Sequence, residues 1–593
     1  MAEPPKSKRP SRSRKTPKPD FSPFEDWLID GPAGKWTDAW ETDKELSERQ
    51  KQIVADSAAL LLDHNAWREK VQAFEEALLT LPNEISRKVK RARYCIRFDR
   101  HVFADGHKFF AIYPFPCSVS FSGAMFGDGD VSFFGAKFGD GTVSFTGAKF
   151  GDGDVSFDGA TFGEGTVSFT GAKFGDGTVS FSGARFGKGT VSFTGATFGD
   201  GTVSFDVARF GEGDVSFSGA RFGKGNVLFR GAKFGDGTAS FDGATFGDGT
   251  VSFDVARFGE GDVSFDGATF GDGTVSFTGA KFGFGTVSFT GAKFGDGTVS
   301  FTGAKFGEGN VWFTGATFGD GTVSFTRAKF GDGTVSFNDI DFRSTTMPAT
   351  GMVVAGNFYV KSHFPEAVDF SRLDVQGTAS FSGSSFQKVP DFRDAKFDRP
   401  PEVAGMVVPR PKLIGWNQLA TDKDDVAKFR KLKSMALAAN DHEKDGEFFA
   451  GEMLAKRGTE TKTLFGLLFS TLYWWLSDFG QSYLRPIGWL FVSYLIFAAA
   501  CLYKIWPALT LSDRLWFAAE FSFRSLTPLF GSLFRFAPAP EDHVSWYQKT
   551  YKSLADAGVD IDGLIALGVA QSVIGTVFLF LLLLALRNKF RLK

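Results

Sequence analysis

The sequence predicts a β-solenoid that follows a helical N-terminal region and precedes an α-helical membrane domain with two spans. Three observations predict it. Phe and Gly supply 72 and 71 of the 593 residues, and Gly alone averages about 7% in ordinary domains. A Phe recurs every twelve residues from Phe121 to Phe337, nineteen times without a slip in register. Two apolar runs near the C-terminal end, about 487–503 and 564–586, carry no charge, and a membrane span takes about 20 residues, with a lower bound of roughly 17.

Charge and cysteine content remove several classes. The chain has 66 Lys and Arg against 68 Asp and Glu, a net of −2, so it is neither a globally basic nucleic-acid binder nor an acidic tail. Its three cysteines, Cys95, Cys117 and Cys501, form no CxxC pair. That excludes a disulfide framework and a cysteine zinc site and fits a reducing compartment.

Residues 1–20 read as a disordered basic arm. Seven Lys or Arg and five Pro fall between Met1 and Pro19, a composition that buries too little apolar surface to offset the entropy of ordering and is not that of a signal peptide. Residues 21–116 carry helical patterns. Thr42-Asp43-Lys44-Glu45 reads as a capping box, and the run from Trp67 to Leu81 stops at Pro82.

The array spans 117–398, with the unit VSFTGAKFGDGT. A second Phe follows the first by five residues, at Phe126, Phe138 and on to Phe342, so the steps alternate five and seven. Val119 and Val131 stand two before the first Phe of their units, and Ala124 and Ala136 two before the second. Such period-two pairs are short extended segments with both residues on one face. The Gly-Asp-Gly between them is expected to turn the corner, glycine supplying positive φ without steric cost. A chain that runs straight, turns and repeats is a solenoid. Past Phe342, at Phe381, Phe386, Phe392 and Phe397, the five-residue step is kept while the longer one varies.

These V-x-F and A-x-F pairs resemble the pentapeptide-repeat family in its Phe-centred variant, across the whole of 117–398, with every second step seven rather than five. The resemblance implies a right-handed quadrilateral β-helix from a bacterial source. It implies inward centres at Phe121, Phe126, Phe133 and Phe138 and their equivalents, with Val119, Ala124, Val131 and Ala136 as inward partners. Two twelve-residue units then make one four-sided coil; a twelve-residue coil with a flat two-sided slot is the alternative. Residues 21–116 and 343–420 are the natural caps for the two ends.

No catalytic set, metal site or cofactor is expected. The recurring corner carboxylates Asp128, Asp140, Asp152 and Asp176 have the oxygen chemistry calcium takes. The nine-residue calcium period is absent, however, and Lys188, Lys224 and Phe284 replace the acid, so they read as turn formers. Between 121 and 336 there are 16 Lys and Arg against 24 Asp and Glu, a net of −8. Nine coils rising about 4.8 Å each match a DNA length carrying about 25 charges, so DNA mimicry fits poorly and no nucleic-acid partner is expected. Lys137, Lys149 and Lys173 are expected to share the surface with the Asp rows and largely neutralise them.

Residues 399–463 read as a linker and a helical hairpin, 424–439 and 441–456. Glu443, Glu447, Glu452 and His442 fall on its solvated faces. Residues 464–593 form the membrane domain. Six of the twelve Trp lie from Trp474 to Trp546, as aromatic belts do. Basic flanks at Arg485 and from Arg587 to Lys593 place both termini in the cytoplasm and 507–563 outside, in a bacterial inner membrane. Ser512 to Thr527, with Ser512 as N-cap, occupies the place of a pore helix, so the domain resembles the two-helix pore-loop channels. Glu520, Arg524, Thr527, Pro528 and Gly531 make up the candidate pore loop, which does not match the TVGYG potassium filter. The chain is thus expected to be a membrane-anchored cytoplasmic scaffold, with the lipid bilayer and a protein on the solenoid surface as partners. An oligomeric, ion-channel-like protein assembled from copies of this chain is the alternative.

Overall fold

The computed structural model describes residues 118–415, 418–506, 508–526 and 546–590, with 95–97, 100, 102–103 and 114–115. The arm at 1–20, most of 21–116, and Thr527, Pro528 and Gly531 of the candidate pore loop lie outside the described residues. Along the chain, a parallel β-solenoid of about 12 turns is followed by a helical C-terminal region. The chain divides into two compact units, Met1–Thr345 and Thr346–Lys593.

In the first unit each coil takes two of the twelve-residue repeats. Val119 pairs in parallel with Val143, Val143 with Val167 and Val167 with Val191. Val131 pairs with Val155 in a separate ladder. The A-x-F segments form two more ladders, one through Met125 and Lys149, the other through Lys137 and Thr161. Each coil therefore has four faces, and the twelve-residue coil is excluded.

The four Phe of each coil fill the interior. Phe121, Phe133 and Ala136 are fully buried, and Phe126, Phe138 and Val131 are at most 5% exposed. Phe121 stacks on Phe145 one coil on, centroids 4.7 Å apart and rings within 4° of parallel. Phe121 meets Phe133 edge to face at 5.6 Å and 82°. Both geometries suit the ring quadrupole, and burying each Phe is worth about 1.5–3 kcal/mol.

The corner glycines act differently from expectation. Positive φ falls at the glycine before each inward Ala of the five-residue step, at Gly123 (φ 65°) and Gly135 (φ 62°), and not in Gly-Asp-Gly. The Gly-Asp-Gly glycines answer a close approach of successive coils: a Cβ on Gly201 would lie 2.1 Å from the Gly177 carbonyl oxygen. The aspartate between them is also structural. The Asp200 N–H donates to Asp176 Oδ1 at 3.0 Å, and the Lys224 N–H to Asp200 Oδ1 at 2.9 Å. Each carboxylate thus satisfies a backbone donor one coil further along.

The second unit opens with shorter coils. Phe358 pairs with Ala379 and Asp374 with Lys396, so a turn there is two or three residues shorter than in the first unit. Phe358, Phe370, Phe381 and Phe392 are fully buried there. Helices α1 (Asp425–Ala438) and α2 (His442–Ala455) follow, within a residue of each expected end. They pack closely because Gly451 leaves room for the Phe429 ring, 2.3 Å from where a Cβ would stand. The Asp441 side chain caps α2, accepting the Lys444 N–H at 3.1 Å.

Next come α3 (Leu464–Ser477), α4 (Leu484–Lys504), α5 (Leu511–Leu526), α6 (Trp546–Asp556) and α7 (Ile561–Phe590). Two of these, α4 and the segment of α7 from Ile561 to Asn588, are long and apolar enough to cross a membrane. They run antiparallel. Lys504 Nζ pairs with Asp560 at 2.8 Å at one end, and Asn588 Nδ2 donates to the Gly480 carbonyl at 3.0 Å at the other.

Candidate functional site

Stacking two repeats per coil sorts the surface charges by face. The A-x-F ladder from Lys137 runs through Thr161, Arg185, Arg209, Lys233, Arg257, Lys281, Lys305 and Lys329. Eight of these nine positions are Lys or Arg, and all nine side chains are exposed. Neighbouring strands lie about 4.8 Å apart, so the row is about 38 Å long. Among the described residues, no carboxylate lies within ion-pair distance of any of the eight cations. Like charges facing one another across adjacent strands repel, so the row costs stability.

The other A-x-F face is different. Its ladder reads Met125, Lys149, Lys173, Thr197, Arg221, Thr245, Thr269, Lys293 and Thr317, four cations in nine positions. Lys137 therefore does not share a face with Lys149 and Lys173. The even neutralisation expected from the twelve-residue unit is replaced by segregation, because successive units point the residue after their inward Ala in different directions. Reading the sequence two units at a time reveals the row; reading it one unit at a time averages it away. Three residues beyond the row, on seven of the nine coils, stand the corner carboxylates Asp140, Glu164, Glu212, Asp236, Glu260, Glu308 and Asp332, with Lys188 and Phe284 at the other two. They bound the cations along most of that side.

In the second unit, α5 packs along the two long helices. Phe517, Ala518 and Phe521 of α5 join Cys501, Ile505, Leu554 and Leu564 in one buried cluster. Beyond it the contacts are polar. Ser522 Oγ donates to the Tyr494 carbonyl at 2.9 Å, Gln571 Nε2 to the Ser522 carbonyl at 3.0 Å, and Ser572 Oγ to the Ser525 carbonyl at 2.7 Å. Glu520 and Arg524 of the candidate pore loop form an ion pair at 2.6 Å, both partly exposed. Thr510 rather than Ser512 caps α5: its Oγ1 accepts the Asp513 N–H at 3.3 Å, since the helix already begins at Leu511.

A third polar centre ties α1 to α2. The buried Glu452 carboxylate accepts from Lys433 at 2.6 Å, Lys456 at 2.7 Å and Arg430 at 3.1 Å. Burial alone would raise its pKa; the bonds to Lys433 and Lys456 outweigh that and hold it below the ordinary value of 4.5. Glu452 is thus the centre of a charge cluster, not a solvated face as the spacing suggested.

Comparison with protein-family models, curated proteins and solved structures returned no match. What the fold and these surfaces define is a class: a β-solenoid repeat protein with two helices of membrane-spanning length and composition.

Proposed function

We propose that the chain is a membrane-anchored repeat protein whose solenoid docks an acidic polypeptide. The observation that carries this reading is the segregated row from Lys137 to Lys329. The ladder fixes the spacing of the eight cations, so no backbone has to be ordered when a partner binds. Carboxylates border the strip along one side on seven of its nine coils, and the array as a whole is net negative. A wide polyanion such as duplex DNA is repelled at the margins, whereas an extended acidic strand fits along the row. The basic residues Arg485 and Arg587 stand at the same end of the antiparallel helix pair, the end held by Asn588 and Gly480. That supports both termini on the cytoplasmic side, in keeping with the positive-inside rule.

The test is binding of fluorescent poly-glutamate to the full-length protein in uncharged nanodiscs. Saturable binding that weakens as salt rises is expected, with duplex DNA binding far less. No binding at low salt, or DNA binding as tight as poly-glutamate, overturns the reading.

One observation favours a second reading, an oligomeric channel. Tyr494 lies ten residues before the end of α4, and Gln571 ten after the start of α7. At 1.5 Å per residue their bonds to Ser522 put the end of α5 about 15 Å along both spans, half of a hydrocarbon core of about 30 Å. A helix re-entering to that depth suits a pore helix. Ion flux in liposomes that changes with Glu520→Gln supports this reading; a monomer with no flux removes it.

A further inference from the structure

Helix α3 turns a broad apolar flank outward while its hydroxyl side chains turn inward. Its outward flank is Leu464, Phe465, Leu468, Phe469, Leu472 and Trp475, exposed by 81, 74, 53, 67, 40 and 52%. Its polar residues face the protein. Arg457, only 2% exposed, donates to Ser470 Oγ at 3.3 Å and Thr471 Oγ1 at 2.8 Å. Ser477 is fully buried, donating to the Tyr473 carbonyl at 3.0 Å and accepting the Gly480 N–H at 3.1 Å. A helix that packs against its own protein in water turns its apolar stripe inward. This one sets Ser470, Thr471 and Ser477 inward beside Tyr473 and Trp474, which pack on Ala450, Leu454 and Phe479, and shows leucine and phenylalanine outside.

We infer that α3 lies in the membrane interface with its Leu464–Trp475 flank in lipid, an inference that rests on the membrane-anchored reading. Its 14 residues span about 21 Å, too short for a core of about 30 Å. A short helix with one apolar flank sinks that flank about 5–10 Å into the boundary between headgroups and chains. The flank continues onto α4. Trp475 packs on Trp489 at 4.0 Å, and Ile487, Phe491 and Leu495 of α4 are also outward, 44 to 61% exposed. Trp475 and Trp489 stand where tryptophan belts settle, and Arg485 Nη1 binds the Trp474 carbonyl at 2.8 Å, closing the C-terminal end of α3.

The test uses the full-length protein in liposomes, with Cys95, Cys117 and Cys501 replaced by Ala. A polarity-sensitive dye is placed on Leu468→Cys, on Leu472→Cys and, in α4, on Val492→Cys. Lipids carry a quencher either high or low on the acyl chain. The expected result is stronger quenching by the shallow quencher at 468 and 472, and by the deep one at 492. Quenching at 468 and 472 by aqueous iodide but not by lipid overturns the inference. So does protection from both quenchers, which means that protein, such as a second copy, covers the flank. If 492 also escapes lipid quenching, the anchored reading itself fails; if only 468 and 472 escape, this inference alone fails.

Discussion

The hydroxyl of Ser522 donates to the backbone carbonyl of Tyr494 across 2.9 Å, joining the end of α5 to the middle of α4. The Gln571 amide on α7 donates to both the carbonyl and the hydroxyl oxygen of the same Ser522, so one serine links three helices through polar bonds among apolar side chains.

That linkage predicts coupling. Interhelical hydrogen bonds in such surroundings are worth about 0.6–2 kcal/mol. Ser522→Ala and Gln571→Leu should each destabilise, and the double variant should cost about 0.5–2 kcal/mol less than the sum. Thermal unfolding of the four proteins in detergent measures it. Additive losses would show that the bond from Gln571 to the Ser522 hydroxyl contributes nothing.

The two kinds of glycine should respond differently to alanine. A Cβ on Gly237 would lie 2.4 Å from the Gly213 backbone, whereas Gly243, at φ 62°, has open space around it. Gly243→Ala should cost about 1–2 kcal/mol, the left-handed penalty. Gly237→Ala should cost clearly more, since two coils must move apart. Val207 and Val255 occupy the left-handed position at φ 52° and 50°, where a β-branched residue is an outlier. Val207→Gly should therefore raise resistance to proteolysis and heat. Lower stability in Val207→Gly would contradict the strain assignment.

Acid should loosen the α1–α2 hairpin. The folded pKa of Glu452 lies below its ordinary value of 4.5. Its stabilisation is complete above that value and is lost as pH falls through the lower folded one. Glu452→Gln should cost about 1–3 kcal/mol at neutral pH, the scale of hydrogen bonds to a charged group, and should flatten stability between pH 5 and pH 3, an interval of about two units. Hydrogen exchange of α2 across that interval checks both. An unchanged pH slope in the variant would remove Glu452 as the cause.

The solenoid was legible because Phe121 and Phe126 repeat with Val119 and Ala124 two residues before them, a pattern that leaves the side chains only one interior to fill. The helix ends were legible where Asp441 caps and where charge interrupts the apolar runs at Lys504. Other features lay beyond local reading. Gly147 and Gly151 look alike in sequence, yet one turns the chain and the other admits its neighbour, a difference set by contacts with the preceding coil. Lys137 and Lys149 stand at equivalent places in successive repeats, but half a coil separates them, so only the coil length assigns them to faces. The inward Ser470 and Thr471 became visible only against Arg457, which tertiary packing brings to them.

The central claim is that one face of the solenoid, and not its charge in bulk, holds an acidic partner. The direct measurement compares poly-glutamate affinity for two variants. Arg209, Lys233, Arg257 and Lys281 are changed to Thr in one, and Lys149, Lys173, Arg221 and Lys293 to Thr in the other. Thr already stands at 161 and 197 in these ladders, so the backbone accommodates it, and both variants lose the same charge. At about 0.2–1 kcal/mol per exposed pair, the four lost pairs of the first should weaken binding by roughly fourfold to several-hundredfold, while the second stays within about threefold of the unaltered protein. Equal losses in the two would contradict the claim and leave only non-specific attraction.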